Sequence, residues 1–347
     1  MKASLPAEVD AGGRIRSLDQ FRGFTVLAMF VVNFVHGREA VPRIFQHNEN
    51  WFSLADWIMP GFLFAVGMSF RLTWQKRVTK MSARTAAFGY VRRSFILILI
   101  SLMAFGFGAE YSSWGEWSAG GLREFVAALL KARMWEVLAI IGASQLLILP
   151  MVGKDTRFRA AALVVLLVSH AALSQWFNVH FVLAKPNVLD AFWGAANVRA
   201  WDGGFFGVIN WAAIILAGTI AYDWLAEGPS VRAIRRFTTV GCCCMIVAYA
   251  LSCLSTLYDL PDGRSDGIPA VAESPVIPSA TQGSLTLAES PFTPVATPDH
   301  RQVNYWMMSK RLVTLPFVLF AVGFIFSLLA AFVYGCDCRQ AEWFLWR

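Results

Sequence analysis

Five polar side chains, Asp19, Arg22, Asn33, His47 and Asp56, stand in or beside the first two apolar stretches of this chain, and each is of a type that does chemistry. His47 is the most versatile. An imidazole with an unperturbed pKa near 6.5 takes a proton from an amine or hydroxyl nucleophile at neutral pH, or accepts an acyl group itself. Asp56 follows it closely enough to orient that ring if the chain folds back over the loop; the alternatives are a helix cap, a carboxylate facing a polar cavity, and a merely solvated histidine. Asp19 and Arg22 stand at the head of an apolar helix that continues to Gly37. Ser17 with Gln20 reads as a capping box, and Asp19 suits the positive end of the helix dipole. Arg22, one turn further in, must snorkel, pair with Asp19 or bind an anion. The plainer alternative is an interfacial ion pair that anchors the helix.

These residues need elements to hold them, and composition says which kind. Hydrophobic residues make up 56% of the chain and charged residues 15%, with 14 Trp and 28 Phe, which is too little polar surface for a water-soluble fold. The expected fold class is all-α, a polytopic transmembrane helix bundle. Runs of about 20 apolar residues, the length a helix needs to cross hydrocarbon, mark eight spans. They cover residues 20–37, 52–73, 93–109, 135–153, 158–177, 205–225, 237–257 and 312–335. The first 20 residues hold no apolar signal core, so the first span itself directs insertion.

Orientation comes from the loops. Arg71, Lys76, Arg77, Lys80, Arg84, Arg92 and Arg93 lie between spans two and three without an acidic residue, so that loop is cytoplasmic. Lys154, Arg157 and Arg159, then Arg232, Arg235 and Arg236, agree, and both termini fall inside. The net charge of +7 is thereby accounted for by lipid headgroups, with no nucleic-acid partner. Residues 258–305 are acidic and rich in Pro, Ser and Thr, which reads as a flexible external loop or a cap within a single domain covering 1–347. Cys242, Cys243, Cys244, Cys253, Cys336 and Cys338 make neither a disulfide framework nor a zinc site, and no metal is expected.

Arg16 to Gly23, then Met29 and Asn33, then His47, Trp51 and the run from Asp56 to Gly67 with Pro60, Phe62 and Phe64, together resemble the heparan-alpha-glucosaminide N-acetyltransferase family of membrane acyltransferases. Trp135 to Gly142, and Asp202-Gly203-Gly204 leading to Gly218, carry the resemblance further along the chain. The resemblance implies transfer of an acetyl group from cytoplasmic acetyl-CoA to an amino sugar or glycan on the opposite face, with His47 as the catalytic residue. On that footing Asp56 orients His47, and Asn33, a buried amide in the first span, bonds the thioester carbonyl or else glues helices together. Arg22 and Asp19 shape the CoA entrance. It also implies an integral membrane protein, placed here in a bacterial inner membrane, and further helices after the last span, of which Trp343 to Arg347 reads as an uncompleted start. A homo-oligomer is compatible with the sequence. The competing classes are a transporter or channel lined by Asn33, Gln145, His170 and Asn210, and a non-catalytic membrane scaffold.

The charge asymmetry of the loops sets a topology that labelling reads directly. In a cysteine-free background, Ser279→Cys should react with an impermeant thiol reagent in intact cells, and Lys80→Cys should react only after the membrane is opened. The reverse pattern inverts the orientation.

Overall fold

The computed structural model describes residues 15–106, 113–115, 118, 125–193, 200–228, 231–261, 270–273, 276–279 and 286–339. Within them the chain is helical throughout, with two isolated β-bridges, Asp259 to Arg301 and Val271 to Val303, and no strand. The helices are α1 (Arg16–Val35), α2 (Ile58–Val78), α3 (Ala83–Ser101), α4 (Phe125–Arg133), α5 (Val137–Val152), α6 (Thr156–Leu173), the short α7 (Val179–Val182) and α8 (Val188–Trp193), then α9 (Gly204–Ala226), α10 (Val231–Ser252) and α11 (Leu315–Phe332). The stretch from Trp343 to Arg347 lies outside the described residues.

Six helical segments among the described residues are long and apolar enough to cross a membrane, and a seventh arises if α4 and α5, bent by 81° at Met134–Glu136, count as one broken span. Eight were expected. The difference is the second: α2 is a helix of 21 residues, but Arg71, Lys76 and Arg77 load its last two turns, and it sits largely inside the bundle rather than against lipid. Helices α1, α3, α6 and α10 turn rows of large apolar side chains outward, including Phe30 and Phe34, Phe95 and Leu99, Val164 and Val168, and Ile246. Such rows suit a hydrocarbon surround. The chain is an integral membrane protein by this measure.

Helix α9 is apolar on every side and is buried on every side, as such a helix must be. α2, α5 and α6 pack around it, α3 lies on α5, and α10 runs along α11. Small residues set the closest approaches. A Cβ on Gly67 would lie 2.0 Å from the Ile215 carbonyl oxygen, and one on Gly218 would lie 2.1 Å from that of Phe64, so α2 and α9 touch backbone to backbone. Gly241 and Gly323 do the same for α10 and α11.

The head of α1 is built differently from the capping box. Ile15 is the N-cap and offers no side-chain bond, and Ser17 Oγ and Gln20 Oε1 are buried without a hydrogen-bond partner among the described residues. The backbone N–H of Ser17 instead donates to Asp337 Oδ1 at 3.1 Å, from the turn that follows α11. A carboxylate brought in by tertiary packing thus takes the place that the sequence assigned to a local side chain. Of the two readings of residues 258–305, the described parts form a cap: Tyr258, Ala272 and Tyr305, with Trp306 and Leu312 just beyond, build a second core with Phe177, Val179 and Phe181.

Gly218→Ala should push α2 and α9 apart and cost about 1–3 kcal/mol, the scale of overpacking, read as a lower melting temperature of the detergent-solubilised protein. An unchanged melt would mean the two backbones are not in contact.

Candidate functional site

The segment between α1 and α2 carries the site, and a few backbone bonds shape it. A short turn at Arg43–Phe45 is followed by Leu54 N–H donating to Ile44 O at 2.9 Å, and Phe292 N–H donates to Phe52 O at 3.0 Å from the cap segment. Phe52, fully buried, packs on Phe292, Phe317 and Phe320. The loop is therefore pinned on both sides.

Asp56 is the centre of this loop. It is 1% exposed, and its Oδ2 accepts from Ser53 Oγ at 2.7 Å, Ser53 N–H at 3.2 Å and Asn48 N–H at 3.3 Å, while Oδ1 lies 2.9 Å from His47 Nδ1. It does not cap α2, whose N-cap is Trp57. In all its other contacts Asp56 accepts, so Nδ1 of His47 carries the hydrogen and Nε2 presents a lone pair. The His47 side chain is 30% exposed, and Nε2 has no partner among the described residues. That is the geometry of an oriented base: one ring nitrogen held by a buried carboxylate, the other open. The His36 ring lies 5.4 Å from that of His47 and forms the near wall.

The other expected site residues fall on one exposed face of α1. Asn33 is exposed, not a buried amide. The reason is packing: α1 rests on α2, on α11 and on the turn after it, which buries Ser17, Leu18, Phe21, Thr25 and Val32 and turns Asn33 away. Arg22 is exposed too, and makes no ion pair with Asp19 among the described residues. Arg22, Val26, Met29, Asn33 and His36 follow one another at helical spacing, so one stripe of α1 runs from a cation to the His47 ring. From Arg22 to Asn33 it covers about 16 Å at 1.5 Å per residue.

Two further groups are given no site role by the sequence. At the far end of α2, Asp223 of α9 accepts from Arg71 Nε at 2.9 Å, Thr156 Oγ1 at 2.9 Å and Arg159, while Arg159 Nη1 donates to Thr219 Oγ1 at 2.8 Å. At the His47 end, Asp202 is 7% exposed, and burial pushes its carboxyl above the ordinary carboxylate range against the opposing pull of Lys310, His47 and Arg311. A small open cleft lies beside the same loop, lined by Asn50, Trp51, Thr293, Glu289 and Arg301 among others. His170 and Asn210, suggested as lining for a solute path, are fully buried and bonded to each other at 2.9 Å, with Tyr305 Oη 3.0 Å from the imidazole. Gln145 is buried as well. The described residues hold no group of His, Cys, Asp and Glu fit for a metal ion.

A bundle of membrane-crossing helices with a carboxylate-oriented histidine at one end defines a polytopic membrane protein equipped for proton or acyl transfer. The profile of the family described as heparan-alpha-glucosaminide N-acetyltransferase, catalytic, matches residues 14–253, and the chain belongs to that family. Membership points to a membrane acetyltransferase. A search of curated proteins found no match to the chain.

Asp56→Ala should strand the Ser53 and Asn48 donors and release the His47 ring. A loss of about 2–3 kcal/mol, together with faster proteolysis between Asn48 and Ser53, is the expected outcome. A loop as resistant as the wild type would remove Asp56 from its organising role.

Proposed function

We propose that the protein is an acetyl-CoA-dependent acetyltransferase of a bacterial inner membrane, which carries an acetyl group from the cytoplasmic face to an amino sugar or glycan on the other. The observation that carries this reading is His47, with Nδ1 2.9 Å from buried Asp56 and Nε2 open. The α1 stripe supports it. Exposed Arg22 offers a cation to the CoA phosphates, Val26 and Met29 an apolar track for the pantetheine arm, and Asn33 an amide for the thioester carbonyl one turn before His36. Asp19, in the first turn of the same helix, shapes that entrance.

An amine acceptor is mostly an ammonium at neutral pH, and transfer removes two of its protons. His47 Nε2 takes one and so bares the nitrogen lone pair; that nitrogen bonds to the acetyl carbon, the C–S bond breaks, and the second proton ends on the departing thiolate as CoA thiol. The proton on His47 passes to solvent. Asp56 holds the imidazolium while it exists, and no metal is required for any step. In the variant route His47 Nε2 itself takes the acetyl group first and hands it to the amine. The partners are then acetyl-CoA, the sugar acceptor and membrane lipid, with no nucleic acid and with a homo-oligomer left open.

His47→Ala should lower turnover of labelled acetyl-CoA with an amino sugar by about a hundredfold or more, with little change in acetyl-CoA binding. Label retained on His47 in the absence of acceptor selects the acyl-histidine route. Near-normal turnover in the variant overturns both.

A further inference from the structure

Asp202 has no part in the steps above, and its setting is unusual. It opens a run of three residues in the left-handed region, Asp202 at φ 41°, Gly203 at 83° and Gly204 at 58°, directly before α9. A non-glycine residue held there costs of order 1 kcal/mol or more, and such a conformation persists only where its surroundings enforce it. They do so through the backbone. Trp211 Nε1 donates to Asp202 O at 2.9 Å, Gly203 N–H donates to Arg311 O at 2.7 Å, and Asn178 Nδ2 donates to Gly203 O at 3.3 Å. A Cβ on Gly207 would meet Asp202 O at 2.6 Å, so α9 itself closes on the turn.

The carboxylate that this turn presents is more than nine-tenths buried, and no hydrogen bond or ion pair engages it among the described residues. Buried polar groups are normally satisfied, and an unpaired acid in such a place calls for a partner that arrives. Its oxygens are not sealed like His170 Nε2 or Asn210 Oδ1, so some open surface reaches them. Two contacts tie the turn to the His47 loop. Arg311, whose carbonyl holds Gly203, pairs with Glu49, two residues past His47. Trp211, which holds Asp202 O, packs on Phe317, and Phe317 packs on Phe52. The charged and titratable groups within range of Asp202 are His47 and Asp56 on that loop, Lys310 and Arg311 on the segment before α11, and Glu136 before α5.

Given the acetyltransferase reading, on which this rests, we infer that Asp202 is the positioning residue that receives the acceptor's ammonium group and holds it beside His47 Nε2. Cation and carboxylate match in charge, and an ammonium donating to a buried carboxylate makes a charge-assisted bond that a hydroxyl of the same sugar cannot equal. Selectivity for amines over alcohols then follows from leaving that acid unpaired in the free protein. The residue needs its charge to act, so its hold on the ammonium strengthens as pH rises through its elevated pKa and fades below it.

The test uses the full chain with D-glucosamine as acceptor and labelled acetyl-CoA. Asp202→Asn should raise the glucosamine KM by about tenfold or more with a smaller change in kcat and none in the acetyl-CoA KM. In the wild type the glucosamine KM should rise as the Asp202 carboxyl protonates at lower pH, and the variant should lack that component. Asp202→Glu should recover part of the loss, which a purely structural role would not allow. Should the Asn variant fail to fold, carbodiimide modification of Asp202 in the wild type decides: glucosamine should slow it and glucose should not. A wild-type KM and pH response in Asp202→Asn, or equal protection by the two sugars, overturns the role of Asp202 alone. No transfer from acetyl-CoA to any amine by the wild type overturns the acetyltransferase reading and this inference with it.

Discussion

The backbone contact between α2 and α9 is the constraint on which the rest of this molecule depends. Gly67 and Gly218 let the two helices meet without intervening side chains, and no other residue type has room there. Helices brought this close have little freedom to slide, because packed interfaces are rigid at the scale of a methyl group. Asp56 sits just before α2 and Asp202 just before α9. One seam therefore fixes the spacing of two acids that are far apart in the chain: Asp56 bonds His47, and Asp202 feels its charge.

The two ends of that seam are handled in opposite ways. At the far end Asp223 is satisfied by Arg71, Arg159 and Thr156, and Arg71 also bonds the Val152 carbonyl, so α2, α5, α6 and α9 are tied into one polar knot. Such a knot is costly to desolvate and costlier still to leave half made, which favours a single register. At the His47 end Asp56 is saturated by its own loop, whereas the Asp202 carboxylate has no hydrogen-bond partner among the described residues.

Helix α1 joins this core along one face only. Phe21 packs edge-on to Phe64 and Phe332, Phe24 stacks on Trp57, and Asp337 holds its first turn, but the stripe from Arg22 to His36 remains open. On the proposed acetyltransferase reading, that uncovered face, with a cation, two apolar side chains and an amide, is the track offered to CoA.

Much of this was legible in the sequence where the physics is local. Apolar runs the length of a bilayer had to become helices, since hydrocarbon offers the backbone no other partner. His47 and Asp56 lie close enough in the chain for one loop to bring them together, so their pairing was foreseeable from residue type and spacing. What the sequence could not determine were the contacts between distant segments. The capping box at Ser17 gave way to Asp337, because a carboxylate arriving from the turn after α11 satisfies the helix head better than the local side chains do. Asn33 looked buried because its neighbours are apolar, yet the partners of α1 cover a different stripe. The second apolar run is less apolar than the others toward its end, and only the fold shows Arg71 there paired with Asp223. Asp202 carried only a weak mark, an acid before two glycines, and its unpaired state appears only once α2 and α9 are docked. Local pattern decides which segments are helices; which faces they bury, and which acids are left without partners, is decided by how closely their glycines let them approach.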